Sequence, residues 1–191
     1  NDKFVVMYAG NHSPCNPLDT VLESAQALRD RADILFLFVG GGSGLAQVKE
    51  FAETRGLTNM RSMSYQPYEK LSAVLSAADL HLVVMGDAFR GILHPSKIYN
   101  ILAVGAPFIF IGPGDCHVTD LISGTSCGDQ ALHANHGDSS KITKRIGELS
   151  QKPRGQQRSP VSEQEAFDAD AIYSKFISAI ERAATKAPAV H

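Results

Sequence analysis

His94-Pro-Ser-Lys-Ile-Tyr-Asn-Ile-Leu-Ala-Val-Gly-Ala-Pro107 runs directly into Phe108-Ile-Phe-Ile111. A polar loop passes into a short helix, Gly105 stops the helix, and Pro107 leads into an apolar strand. A helix followed by a buried strand is the repeating unit of a parallel sheet. At the helix start Ser96 is placed to cap, which leaves free backbone N–H groups with the cation of Lys97 beside them. That is the chemistry of an anion site, most simply a phosphate.

The same alternation extends both ways along the chain. Residues 4–9 form an apolar run ended by Gly10-Asn11, and Asn16-Pro17-Leu18-Asp19 predicts a helix start with an Asx cap and Pro at the first helical position. Leu18, Val21, Leu22, Ala25 and Leu28 then share one helical face. Residues 34–39 are the second run, closed by Gly40-Gly-Gly-Ser-Gly44, and Leu45, Val48, Phe51 and Ala52 make the next helical face before Gly56. A weaker strand is predicted at 61–63. A helix follows at 67–78 with Leu71, Val74, Leu75 and Ala78 inward, then a fourth strand over 80–85. Beyond residue 111 the pattern predicts a short helix at 116–122, a weak strand at 130–134 and a helix at 141–149.

Continuous apolar runs alternating with amphipathic helices imply an α/β fold, a Rossmann-like doubly wound parallel sheet with helices on both faces. Residues 1–150 form the domain, and the polar segment 151–160 reads as a surface linker. Ser162-Glu-Gln-Glu165 is a capping box that opens a last helix over 161–185. Its stripe of Ile172, Phe176, Ile180 and Ala183 is expected to pack on the domain. Ligands of such sheets bind outside the carboxyl ends of the strands. The loops at 10–16, 40–44, 64–67, 86–97 and 112–117 are therefore expected to converge on one crevice.

Apolar residues make up 43% of the 191, enough for a core, and a net charge of −2 offers no footprint for nucleic acid. Three cysteines without CxxC spacing argue against a disulfide framework and for reduced thiols. No run is long enough to span a bilayer and no signal peptide is visible, so a cytoplasmic location is expected. The start at Asn1, with no Met and almost no lead before the first strand, predicts a piece of a longer polypeptide.

The glycines after the second strand suit either a loop giving a ligand backbone room or a plain connector; they match neither a dinucleotide fingerprint nor a P-loop. His81, inside a strand, reads as a satisfied core residue, whereas His12, His94 and His117 lie in rim loops where phosphate or sugar contacts are open to them. None of the histidines has metal-ligand spacing, and no metal is expected. Adjacent Cys116 and His117 make a poor nucleophile–base pair. The methionines at 7, 60, 63 and 85 read as core filler, and Asp79 as a structural lead-in to its strand. Arg90 is equally a solvated cation or a phosphate ligand; Ser96 and Lys97 have the stronger case.

Four stretches resemble the C-terminal, donor-binding half of a GT-B glycosyltransferase, in the retaining group known as family 4 or group 1. They are Tyr8-Ala-Gly-Asn11, Phe38-Val-Gly-Gly-Gly42, Leu75-Ser-Ala-Ala-Asp79 and, most specifically, Pro95–Pro107. The resemblance implies a nucleotide-diphospho-sugar donor, most often UDP-linked, bound between two Rossmann-like domains without a further cofactor. Ser96 and Lys97 would then hold the diphosphate, aided by Arg90, and Gly10, Asn11 and His12 would lie against the phosphate or sugar. Gly41, Gly42 and His94 would complete the binding set, with Ser64, Tyr65 and Gln66 against the base.

Asn100 stands where the family usually carries the Glu that bonds the ribose, and Ile92 where it carries a first Glu. Asn11 and Asn16 stand where many members have a phosphate-binding Arg and Lys, so Lys97, Arg90 and the helix start would have to supply the charge. No catalytic residue is assigned. The implied partner is an N-terminal acceptor domain of the same polypeptide, and a full-length protein could work at the inner face of the membrane. The fragment alone is expected to be inactive. The alternatives are half of a nucleotide-sugar epimerase, or a non-catalytic binding module.

Overall fold

A computed structural model describes residues 3–124 and 130–153, together with 155, 158, 174, 177, 178, 181 and 182. Six parallel strands form one sheet: β1 (Phe4–Asn11), β2 (Ile34–Gly41), β3 (Met60–Met63), β4 (Leu80–Val84), β5 (Phe108–Ile111) and β6 (Ala131–Ala134). Their order is β3-β2-β1-β4-β5-β6, so the chain reverses direction across the sheet between β1 and β4. The register of β1 on β2 pairs Phe4 with Ile34 at one end and Gly10 with Gly40 near the other.

The helices are α1 (Asp19–Ala27), α2 (Leu45–Thr54), α3 (Leu71–Ser76), α4 (Lys97–Ala103), α5 (His117–Gly124) and α6 (Ser139–Ser150). Alternate strand positions face opposite layers. Val6, Tyr8, Phe36, Leu82 and Ile109 pack with α1, α2 and α6. On the other face Val83, Met85, Phe108 and Phe110 meet α4 and α5, while Val5 and Met7 meet Ala78 and α3. The doubly wound parallel sheet expected from the sequence is what forms.

His81 is buried in β4 and its Nε2 lies 3.0 Å from the Leu75 carbonyl, as expected of a core histidine. Asp79 receives the Val5 backbone N–H at 2.8 Å and returns its own N–H to the Val5 carbonyl, so it ties the foot of β4 to β1.

Several local expectations are corrected. Neither Asn16 nor Ser96 caps a helix: α1 begins at Asp19 after Leu18, and Ser96 is itself in helical conformation with no side-chain cap bond. Asn16 instead donates to the Asn11 carbonyl and the Ser13 hydroxyl, bracing its own loop, so Pro17 precedes the helix rather than opening it. The helix expected at 67–78 is a 3-10 turn at Tyr68–Lys70 followed by the six-residue α3. Met63 is 44% exposed at the end of an edge strand and fills no core, unlike Met7, Met60 and Met85. The stripe residues expected on the last helix lie outside the described residues. Ahead of them, Arg158 donates to the Ala78 carbonyl at 2.7 Å and to that of Ser76, where α3 ends.

Candidate donor site at the carboxyl rim

Gly10 is the last turnable point of β1 before its loop, with φ +137°. A Cβ there would lie 3.0 Å from Lys97 Nζ and 3.3 Å from its Cε. The missing side chain thus leaves a channel through which Lys97, rooted at the first turn of α4, reaches across the rim to the Tyr8 ring. Its Nζ stands 4.0 Å from the ring centroid and has no hydrogen-bond partner among the described residues. Burial pushes the Lys97 ammonium down to about 8. An enclosed cation compensated only by an aromatic face is incomplete, and an anion is the natural complement.

Gly40, paired with Gly10, has φ +133°, and a Cβ there would run into the Gly10 carbonyl. The two glycines let β1 and β2 close on each other at the rim. Behind them His12 is wholly buried, packed edge-on to Tyr8 with centroids 4.9 Å apart and with Nδ1 3.2 Å from the Gly41 carbonyl. Its Nε2 has no partner. Burial holds this imidazole below its ordinary value, and the nearby Lys97 charge adds to that against hydrogen bonds from the Gly41 and Gly10 carbonyls.

Lys97 also borders a cavity of about 200 Å³ on the α3–α4 face of the sheet. Ala9, Val39 and Leu82 form its floor, Leu71 and Ile101 its flanks, and Tyr65, Gln66 and Asn100 its polar or aromatic edge. Tyr65 is 61% exposed and leans over Gly41, where an added Cβ would meet its ring at 3.1 Å.

The rim loops do not converge on one crevice. Gly10, Tyr65, Lys97 and Asn100 share this cavity, but His12 with Ser43 and Gly44 borders a second recess between α1 and α2. Arg90 and His94 border a third, with Asp115 and His117. The reason is that Lys97 and the tight β1–β2 turn fill the centre of the rim. Arg90 is engaged with Asp115 at 3.3 Å in solvent, the partner that makes it a loop cation rather than a group turned to Lys97. Tyr99 Oη lies 2.9 Å from Nε2 of both His94 and His117, a contact set that nothing in their sequence spacing announced. Ser64 and Ser96 are exposed near the rim, as are Asn11 and Gly42. Tyr8, the platform under Lys97, was read only as a strand residue; its position two before a strand-ending glycine was the available signal.

Residues 1–117 match the family described as glycosyl transferases group 1. The chain belongs to that family. The colanic acid biosynthesis glycosyl transferase WcaI of Escherichia coli (strain K12) is 40% identical over 105 residues, 55% of this chain and 26% of WcaI. The glycosyltransferase WbjE of Pseudomonas aeruginosa is 24% identical over 126 residues, 66% of this chain and 31% of its own. The chain therefore spans about a quarter to a third of the length of these relatives.

Among solved structures, Staphylococcus aureus TarM in complex with fondaparinux, α-GlcNAc-glycerol and UDP superposes with a TM-score of 0.66 at 16% identity, over 93% of this chain and 35% of TarM. WaaG, a glycosyltransferase of lipopolysaccharide biosynthesis, gives 0.61 at 17% identity, over 79% of this chain and 39% of WaaG. These likenesses establish the GT-B glycosyltransferase domain fold. In this group 1 domain no described helix is long and apolar enough to cross a membrane. The position of the family's first Glu is an Ile92 side chain that is 81% exposed, and that of the second is Asn100 at the cavity edge.

Proposed function

We propose that this chain is the donor-binding half of a retaining group 1 glycosyltransferase, holding a nucleoside-diphospho-sugar, with UDP as the nucleotide, at the rim between β1 and β4. The observation that carries the reading is Lys97: a buried ammonium with no hydrogen-bond partner, facing a glycine at the topological switch of the sheet. The diphosphate meets Lys97 over Gly10, the base enters the cavity against Tyr65 and Gln66, and Asn100 takes the ribose hydroxyls. Family membership and the UDP bound to TarM support the assignment.

Departure of the diphosphate leaves negative charge on its oxygens as the sugar bond breaks. A fixed cation in a water-poor site stabilises that charge more than it stabilises the bound donor. On this reading Lys97 supplies the charge in place of a metal ion or of a basic residue in the first loop. The acceptor is held by another half of a longer polypeptide, and the chain by itself binds donor and transfers nothing.

Calorimetric titration with UDP, GDP and ADP tests this. UDP binding that Lys97→Ala weakens by about 1.5–3 kcal/mol, the scale of a hydrogen bond to a charged group, is the expected result. Failure of a folded chain to bind any of the three overturns it. Lys97→Met, which keeps the volume and removes the charge, separates loss of the cation from a repacked rim.

A further inference from the structure

We propose that the recess between the heads of α1 and α2 is a second binding site, separate from the Lys97 cavity, for a neutral, hydroxyl-rich ligand of pyranose size. The recess holds about 310 Å³, at the lower end of small-molecule pockets. His12, Ser13, Asn16, Asp19, Ser43 and Gln47 supply its polar wall. Pro17 and Leu18 supply the apolar surface on which the C–H face of a sugar ring can rest.

The donor set fits that ligand and disfavours others. Gln47 Nε2 reaches Asp19 Oδ1 only at 3.5 Å, so a carboxylate and a carboxamide stand side by side with most of their capacity unspent. One accepts and the other both accepts and donates, the combination that a vicinal diol needs. No Lys or Arg lines the recess, so a phosphate or carboxylate finds no counter-charge. His12 is kept neutral by burial and adds none.

Two further observations mark the recess as unfinished rather than as ordinary solvated surface. The wholly buried His12 forms its inner wall with an Nε2 that has no partner, and such atoms are rare in complete interiors. Neither α1 nor α2 has a side-chain cap bond, so the N–H groups of both first turns are left without one at the recess mouth.

The recess lies on the same carboxyl rim as Lys97, but on the α1–α2 face. On the reading of the chain as a donor half, it takes a neutral sugar unit of the acceptor rather than the donor's own sugar. Only the origin of the sugar rests on that reading; the binding chemistry does not.

The test uses the isotope-labelled chain and NMR, with methyl α-D-glucopyranoside, its galacto and manno counterparts, UDP and UDP-glucose as probes. The expected result is that at least one methyl glycoside shifts signals of residues 12–19 and 43–47. Gln47→Ala and Asp19→Asn weaken that response at least tenfold and leave UDP affinity unchanged. Gln47 is exposed, so its replacement keeps the fold even if the Asp19 variant does not. No response to any glycoside at saturating concentration overturns the proposal. So does a response centred on Tyr65, Lys97 and Asn100, or one seen with UDP-glucose alone, which would make the recess part of the donor site. Loss of UDP binding with glycoside binding intact would instead refute the donor-site reading and leave this one standing.

Discussion

Over β1 and β2 the carboxyl rim is backbone: Gly10 and Gly40 lie side by side with positive φ, and a single Cβ on either meets a neighbour. Over β4 and β5 the rim is side chain. Arg90 pairs with Asp115, Tyr99 links His94 to His117, His133 lies 2.9 Å from the Gly112 carbonyl, and His136 lies 3.0 Å from that of Met85. The first rim gains its shape from what is missing and holds it at every pH. The second is a set of titratable contacts, and its shape depends on who holds the proton. Lys97 is rooted in the second and completes the first.

The largest effect should come from breaking the backbone rim. Gly40→Ala forces a Cβ into the Gly10 carbonyl at a φ that L-residues rarely adopt, so urea unfolding should show a loss of more than about 3 kcal/mol. Gly10→Ala should cost less, because the colliding atoms are the movable end of Lys97, and its sharper consequence should be loss of UDP binding. Lys97→Ala should weaken UDP by the 1.5–3 kcal/mol already given, roughly 10- to 150-fold, without lowering stability, because it removes a desolvated charge.

Proton linkage separates the two rims further. Lys97 titrates near 8 in the folded chain, and a bound diphosphate must raise that value. UDP affinity should therefore fall as pH rises through 8, with proton uptake on binding above that point, read from calorimetry in buffers of different ionisation enthalpy. Lys97→Arg should abolish both.

His81 lies beneath the rim with its pKa lowered to about 4 by burial. Between about 4 and the ordinary 6.5 the unfolded chain binds the extra proton and the folded chain does not, so stability is lost as pH falls through that window. His81→Gln should flatten that part of a melting-temperature profile. The smallest effect belongs to the side-chain rim: Tyr99→Phe removes one hydroxyl and two exposed hydrogen bonds, and should cost about 0.5–1.5 kcal/mol.

The sheet was legible because buried parallel strands are written as unbroken apolar runs, and each of those at residues 4–9, 34–39, 80–85 and 108–111 became a strand. Helix starts were less legible. A capping residue is a local signal, and at Asn16 and Ser96 tertiary demands won: Asn16 was drawn into bracing its loop, and Ser96 was taken up in helical conformation. The importance of Lys97 could be read from its place after the fourth strand, but its burial could not. That depends on the absent side chain of Gly10, 87 positions earlier. The separation of Arg90 from Lys97 was likewise invisible, because Asp115 claims it from another loop.

One contact has a consequence for inheritance. The room that Lys97 occupies exists because residue 10 carries no side chain, so neither position is free to drift alone. Across a collection of related sequences the two should change together: a larger residue at 10 should accompany a shorter one at 97. Lineages that exchange the lysine should also be those that place a cation elsewhere on the rim.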